Sequence, residues 1–138
     1  MTKQEIEEIV DGLVEVVGSR NVYDVIDHLN IEVIVTSKMK TMFVRIEGKE
    51  YIFLSENEPP ELIDFALAHE IGHAVLHDIE MWYFSKLGIS KSKYELEADY
   101  FAFKLLNKEI DQSYGYTSKQ YAQDLCVSEK VVKYIVGE

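Results

Sequence analysis

The sequence predicts a single α+β domain in which a small antiparallel sheet packs against a central helix and further helices. Three observations support this fold class. The length of 138 residues suits one compact domain. Apolar residues recur at helical spacing near both ends and in the middle of the chain, whereas residues 31–54 are rich in β-branched and aromatic side chains around a glycine turn. We therefore expect residues 1–138 to form one domain, with a C-terminal helical pair at 117–137 packed on it.

Two helices are predicted at the start of the chain. Gly18 stands where the first should end, and a shorter helix follows it. The apolar residues that define the first helix lie three or four positions apart: Ile6, Ile9, Val10, Leu13 and Val17. Those that define the second share one face in the same way: Val22, Val25, Ile26 and Leu29.

Three strands are predicted next. The β-branched run from Ile31 to Thr36 is typical of a strand, and Met42–Ile46 and Tyr51–Leu54 are two more candidates. The four residues between the last two contain Gly48, which suits a hairpin turn. We expect these strands to form a small antiparallel sheet.

Four helices are predicted in the second half. Pro59 and Pro60 suit the first turn of a helix that runs to about His77. Another helical pattern extends from Tyr94 to Leu106, after a mixed stretch with an aromatic group that either closes the core or lines a cleft: Trp82, Tyr83 and Phe84. The segment Thr117–Gln120 resembles a capping box and starts two short helices that bend at Val127 and Ser128.

The composition argues against several classes of partner. The formal net charge is −11, so the averaged field repels nucleic acid and anionic lipid, and attracts basic proteins. The polar N-terminal segment does not resemble a signal peptide, and no apolar run is long enough to span a bilayer. The single cysteine, Cys126, fits a reducing compartment. We expect a cytoplasmic protein that contacts no membrane.

The C-terminal helical pair also resembles a fragment of a helix-turn-helix. Between residues 117 and 137 the positive charges are three lysines without an arginine, and acidic residues offset them. Phosphate contacts dominate the affinity of proteins for DNA, so we favour helix packing over DNA binding for this pair.

The strongest motif is His69-Glu70-Ile71-Gly72-His73. On a helix the second histidine is rotated only about 40° from the first, so both imidazoles can bind one metal ion. Glu70 lies on the edge of the same face, where it can reach a water molecule on that ion. Zinc lowers the pKa of its bound water to about 7, and a neighbouring carboxylate accepts the proton. The motif thus predicts zinc on His69 and His73, with Glu70 as general base.

A catalytic zinc usually has a third protein ligand. Glu95 is the preferred candidate, because it begins the next predicted helix, and Glu97 is the alternative. Asp99, one turn after Glu95, could accept the outer N–H of a liganding histidine and orient it. His77 continues the four-residue spacing but would be rotated by about 80° from His69 on a straight helix, so we interpret it as an outer-shell or surface residue.

These residues resemble the ImmA/IrrE family of metallopeptidases. Residues 68–77 match the family's His-Glu-x-x-His helix, and residues 95–102, Glu-Leu-Glu-Ala-Asp-Tyr-Phe-Ala, match its second helix. The resemblance implies a zincin-like α+β fold with Glu95 as the third ligand. It also implies a peptidase, often carried by phages and mobile elements, that cleaves helix-turn-helix repressors. Residues 105–108 depart from the family's usual Leu-Leu-Met-Pro.

Two functional hypotheses follow. The first is a zinc endopeptidase that acts on a cytoplasmic DNA-binding repressor or a similar regulator. The second is a metal-stabilised protein that binds a regulator or antitoxin without cleaving it. A purely structural metal site has no need of a general base, so Glu70 favours the enzyme.

Overall fold

The computed structural model of the protein describes residues 1–78 and 91–137, with the backbone alone at Lys91. The predicted aromatic group of Trp82, Tyr83 and Phe84 lies outside this part of the chain. The described residues form helices around a three-stranded mixed sheet, which confirms the α+β fold class.

The two N-terminal helices form as the apolar spacing predicts. Helix α1 (Lys3–Val17) begins where the Thr2 hydroxyl accepts a backbone hydrogen bond from Glu5, and it ends at Gly18, whose φ of 80° favours glycine. Helix α2 (Val22–His28) begins at Asn21, whose side chain accepts the N–H groups of two residues in the first turn. Their apolar faces enter the core.

The sheet contains strands β1 (Ile31–Thr36), β2 (Met42–Ile46) and β3 (Lys49–Ser55) in the order β1-β3-β2. Strands β2 and β3 form the predicted antiparallel hairpin, with a two-residue turn at Glu47 and Gly48, both at positive φ. Strand β1 instead pairs in parallel with β3. The prediction of an antiparallel sheet is therefore wrong for β1. The hairpin inserts β3 between β1 and β2, so β1 and β2, which are consecutive in the chain, are not neighbours in the sheet.

Two helices in the second half pack closely against each other. A single 3₁₀ turn at Pro60–Leu62 leads into α3 (Ile63–Leu76), and α4 (Lys91–Leu105) crosses it. They approach closely at Gly72, where a Cβ would lie 3.1 Å from the Cα and the carbonyl oxygen of Ala98. This contact positions α4 beside the histidines of α3.

The C-terminal pair consists of α5 (Ser118–Leu125) and α6 (Glu129–Val136). The predicted capping box is present, with reciprocal hydrogen bonds between Thr117 and Gln120. Helix α6 packs on α4 and buries Val131 and Val132. Within the described ranges, no helix is long and apolar enough to cross a membrane.

Candidate active site

His69 and His73 lie one turn apart on α3 and point toward each other. Their Nε2 atoms are 3.1 Å apart, and their rings meet edge to face. The other faces of the helix are anchored in the core, since Leu67, Ala68 and Ile71 are fully inaccessible to solvent. The four-residue spacing thus brings the two ring nitrogens to one point, and the surrounding core restricts their movement.

Glu95, in the first turns of α4, brings a carboxylate to the same point. Its Oε2 lies 3.2 Å from Nε2 of His69, and its Oε1 lies 3.0 Å from Nε2 of His73. The structure therefore brings together the two histidines and Glu95, all three of the residues that the sequence analysis proposed as ligands. Glu97, the alternative, has its carboxylate on His77 and on the backbone nitrogen of Met1.

The spacing and chemistry of this group suit a divalent transition metal. Ligands at about 2.0–2.1 Å from a tetrahedral zinc are separated by roughly 3.3 Å, close to the 3.0–3.2 Å between these atoms. Ligand atoms of His69, Glu70 and His73 also lie within 4.8 Å of one another and could hold a metal ion. Glu95 could hold the same ion, because its oxygens approach both imidazoles.

The charges at the site are strongly coupled. Burial disfavours a charged His69, but its contacts with Asp99 and Glu95 prevail and raise its pKa to about 10. Burial likewise raises the pKa of Glu95, and the hydrogen bonds from His69 and His73 more than reverse this and bring it below the usual range. The carboxylates of Asp99 and Glu95 therefore favour a protonated His69, and a metal ion that binds Nε2 would compete with that proton.

Glu70 places a buried carboxylate next to the two histidines. It is only 6% exposed, and its Oε2 has no hydrogen-bond partner in the described residues. Burial raises the pKa of Glu70 to about 6, against the opposing charges of His69 and His73. A buried, unpartnered carboxylate oxygen next to a metal-binding group can accept a hydrogen bond from a water molecule and then its proton.

Asp99 contacts the outer side of His69, as the sequence analysis proposed. Its Oδ1 lies 2.6 Å from Nδ1 of the imidazole. The Ser128 hydroxyl donates a hydrogen bond of 2.7 Å to the other carboxylate oxygen, and it also accepts the N–H of Val131 as the N-cap of α6. The C-terminal pair is thereby linked to a metal-binding histidine through one carboxylate.

His77 is the residue that the sequence analysis placed least well. It contacts the outer nitrogen of His73 and is buried, so a surface position is wrong and the outer-shell alternative agrees with the geometry. The helix ends at Leu76 and His77 adopts an extended backbone, φ −123° and ψ 139°, so the rotation expected on a straight helix does not apply.

The family comparison agrees with this geometry. Residues 26–135 match the sequence model of the peptidase M78 family, the IrrE N-terminal-like domain. The chain belongs to this family. The match covers most of the chain, confirms the resemblance to ImmA/IrrE proteins and supports a metallopeptidase-like role for this M78 protein. A comparison with curated proteins gave no match.

Two positions of this M78 domain were not identified as parts of the site from sequence. Ser128 was noted only as the bend between two helices, although a serine before a helix is a recognisable N-cap. Its hydrogen bond with Asp99 joins residues 29 apart in the chain, and no local sequence pattern predicts such a contact. Glu97 was considered only as a ligand, whereas its carboxylate lies against His77.

Proposed function

We propose that the protein is a zinc-dependent endopeptidase and that its substrate is a helix-turn-helix repressor or a similar cytoplasmic regulator. The observation that carries the proposal is the position of Glu70. Its Oε2 is buried next to the group formed by His69, His73 and Glu95, and residues 1–78 and 91–137 offer it no hydrogen-bond partner. A site built only for stability would leave this carboxylate oxygen unsatisfied, which typically costs about 1–3 kcal/mol.

In this mechanism the two histidines and Glu95 would hold the metal, and Glu70 would act as the base. Zinc would supply Lewis acidity and lower the pKa of water. Glu70 binds the water, removes its proton as the oxygen attacks the peptide carbonyl, and can deliver that proton to the leaving amine. Asp99 keeps the proton of His69 on Nδ1, which leaves Nε2 free to bind the metal.

The sheet offers a place for an extended substrate. Strand β2 contacts α3 and pairs with β3 on one side, and within residues 1–78 and 91–137 no strand pairs with its other side. Extended peptides commonly bind by adding a strand to such an edge. We propose that the scissile peptide binds along β2, above the helix that carries Glu70.

The nature of the partner is supported by charge and by family. A net charge of −11 favours encounter with a basic protein over nucleic acid or an anionic membrane. DNA-binding repressors are often basic, and they are the substrates that the ImmA/IrrE resemblance implies. A cytoplasmic location, consistent with the single cysteine, is part of the same proposal.

The proposal is tested by comparing the wild type with Glu70→Gln, His69→Ala and Glu95→Ala. We expect one zinc per chain by mass spectrometry in the wild type and in Glu70→Gln, and less in the other two, because Glu70 is not a ligand. Glu61→Gln is a matched control, since Glu61 is an exposed glutamate just before the same helix.

Cleavage is then followed in the source cell by labelling new protein N-termini after expression of each variant. The wild type and Glu61→Gln should generate a new N-terminus within a DNA-binding regulator, and Glu70→Gln should not. Zinc bound in the wild type together with the same N-termini in all variants would instead support a binding protein that does not cleave its partner. A wild type that binds no zinc after reconstitution would refute the proposal.

A further inference from the structure

His77 and Glu97 form a buried pair behind the metal-binding group. Their side chains are 3% and 4% exposed, and Nε2 of His77 lies 2.9 Å from Oε1 of Glu97. Two ionisable side chains so deeply buried need a compensating arrangement of hydrogen bonds. The pair meets this need, and it reaches further, because the other ring nitrogen of His77 lies 3.0 Å from Nδ1 of His73.

The metal-binding role of His73 determines which nitrogen of His73 carries a proton, and this in turn determines the tautomer of His77. Nε2 of His73 faces His69 and Glu95 at 3.1 and 3.0 Å, so this nitrogen would bind the metal and carry no proton. The proton of a neutral His73 must then lie on Nδ1 and be donated to Nδ1 of His77. Since that nitrogen accepts, the proton of a neutral His77 lies on Nε2. The carboxylate of Glu97, which can only accept, takes the hydrogen bond from this N–H group.

We propose that His77 and Glu97 are positioning residues that hold His73 in the tautomer and orientation needed to bind the metal. The inference rests on the metal site of the proposed function, but not on its peptidase chemistry. The two histidines are then held in different ways. Asp99 accepts a hydrogen bond of 2.6 Å from the Nδ1–H group of His69, whereas His73 donates one to a neutral imidazole that Glu97 polarises.

Neighbouring contacts restrict the ring of His77. Its backbone N–H donates to the carbonyl oxygen of His73, and the ring of Tyr94 packs against it with 4.8 Å between centroids. The remaining oxygen of Glu97 contacts the backbone nitrogen of Met1 at 2.6 Å. These contacts hold the ring of His77 and the carboxylate of Glu97 in the positions that the hydrogen bonds require.

The first test is the tautomeric state of the histidines in the zinc-loaded wild type. Two-bond ¹H–¹⁵N correlation spectra distinguish a proton on Nδ1 from one on Nε2. We expect His73 to carry its proton on Nδ1 and His77 on Nε2. A proton on Nδ1 of His77 would overturn the proposal, because that nitrogen could not then accept from His73. This measurement needs no substitution and does not depend on the folding of a variant.

The second test is zinc affinity, measured by competition with a chelator. His77→Phe fills a similar volume but offers no acceptor, and we expect it to bind zinc about 10–100-fold more weakly, as is typical when an outer partner of a ligand is lost. His77→Asn places an amide oxygen near the position of Nδ1 and should recover most of this loss. A residue that only filled the core would give the opposite order, because phenylalanine replaces the ring better than asparagine does.

His28→Phe is the matched control, since His28 is an exposed histidine on α2 and should leave zinc affinity unchanged. Equal zinc affinity in wild type and His77→Phe would refute the proposal even if the protein is a peptidase. A protein that cleaves nothing, yet has the expected tautomers and loses zinc affinity in His77→Phe, would retain this inference and refute the proposed function.

Discussion

Gly72→Ala tests whether the close approach of α3 and α4 maintains the site. Gly72 lies between the two histidines of the motif, and an added Cβ would lie 3.1 Å from the Cα and oxygen of Ala98 and 3.2 Å from Cβ of Phe101. Two of these atoms belong to the backbone and the third is fixed to it, so no side-chain rotation relieves the contact. The helices must separate by a few tenths of an ångström.

The magnitude follows from two opposing effects. Overpacking of a tight core typically costs about 1–3 kcal/mol. Alanine in place of glycine inside a helix returns roughly 0.8–1.0 kcal/mol. The expected net loss in the free energy of unfolding is about 0–2 kcal/mol, equivalent to a Tm lower by up to roughly 6 °C for a chain of this size. Gly12→Ala is the matched control, because Gly12 lies in α1 with nothing within 4 Å of its added Cβ, and this variant should gain stability.

Thermal and urea unfolding of the metal-free proteins measure the loss of stability, and chelator competition measures the loss of zinc affinity. Glu95 lies one turn before Ala98 on α4, so separation of the helices moves its carboxylate away from the histidines. Metal–ligand distances tolerate only about 0.2 Å, so zinc affinity should fall in Gly72→Ala and not in Gly12→Ala. Equal or greater stability in Gly72→Ala, with unchanged zinc affinity, would refute this reasoning.

Three further predictions follow. The pKa of His69 is raised to about 10, from 6.5 in the unfolded chain. The protonated His69 therefore stabilises the metal-free protein fully below pH 6.5, and this stabilisation is lost as the pH rises to about 10. Urea midpoints should fall over this range, and less so in His69→Gln. Because burial raises the pKa of Glu70 to about 6, kcat/KM should decline below that pH, and a pH-independent rate between 5 and 7 would contradict Glu70 as base. Ser128→Ala and Thr117→Ala each remove a helix N-cap, at about 1 kcal/mol, but only Ser128→Ala should weaken zinc binding, as seen by chelator competition.

The sequence predicted the local elements better than their arrangement. The helix start at Thr117 and the turn at Gly48 depend on side chains within a few residues, so their signals are visible in the sequence. The parallel pairing of β1 with β3 joins residues 19 apart and depends on how the hairpin folds back. No periodicity within β1 distinguishes a parallel from an antiparallel neighbour, because the side chains alternate in both.

The same distinction between local elements and their arrangement applies to the candidate site. His69, Glu70 and His73 are predictable because one helix turn sets their geometry, and Glu95 and Asp99 because their four-residue spacing places both on one face of α4. The spacing could not predict that the face of α3 with the two histidines contacts the face of α4 with Glu95 and Asp99. The sequence left His77 between an outer-shell and a surface position because a helical wheel assumes that the helix continues. The chain instead becomes extended at this residue, and the ring contacts His73 and Glu97. A histidine at the end of a metal-binding helix therefore needs its backbone conformation before its role can be assigned, and here that conformation places it on the outer nitrogen of a proposed ligand.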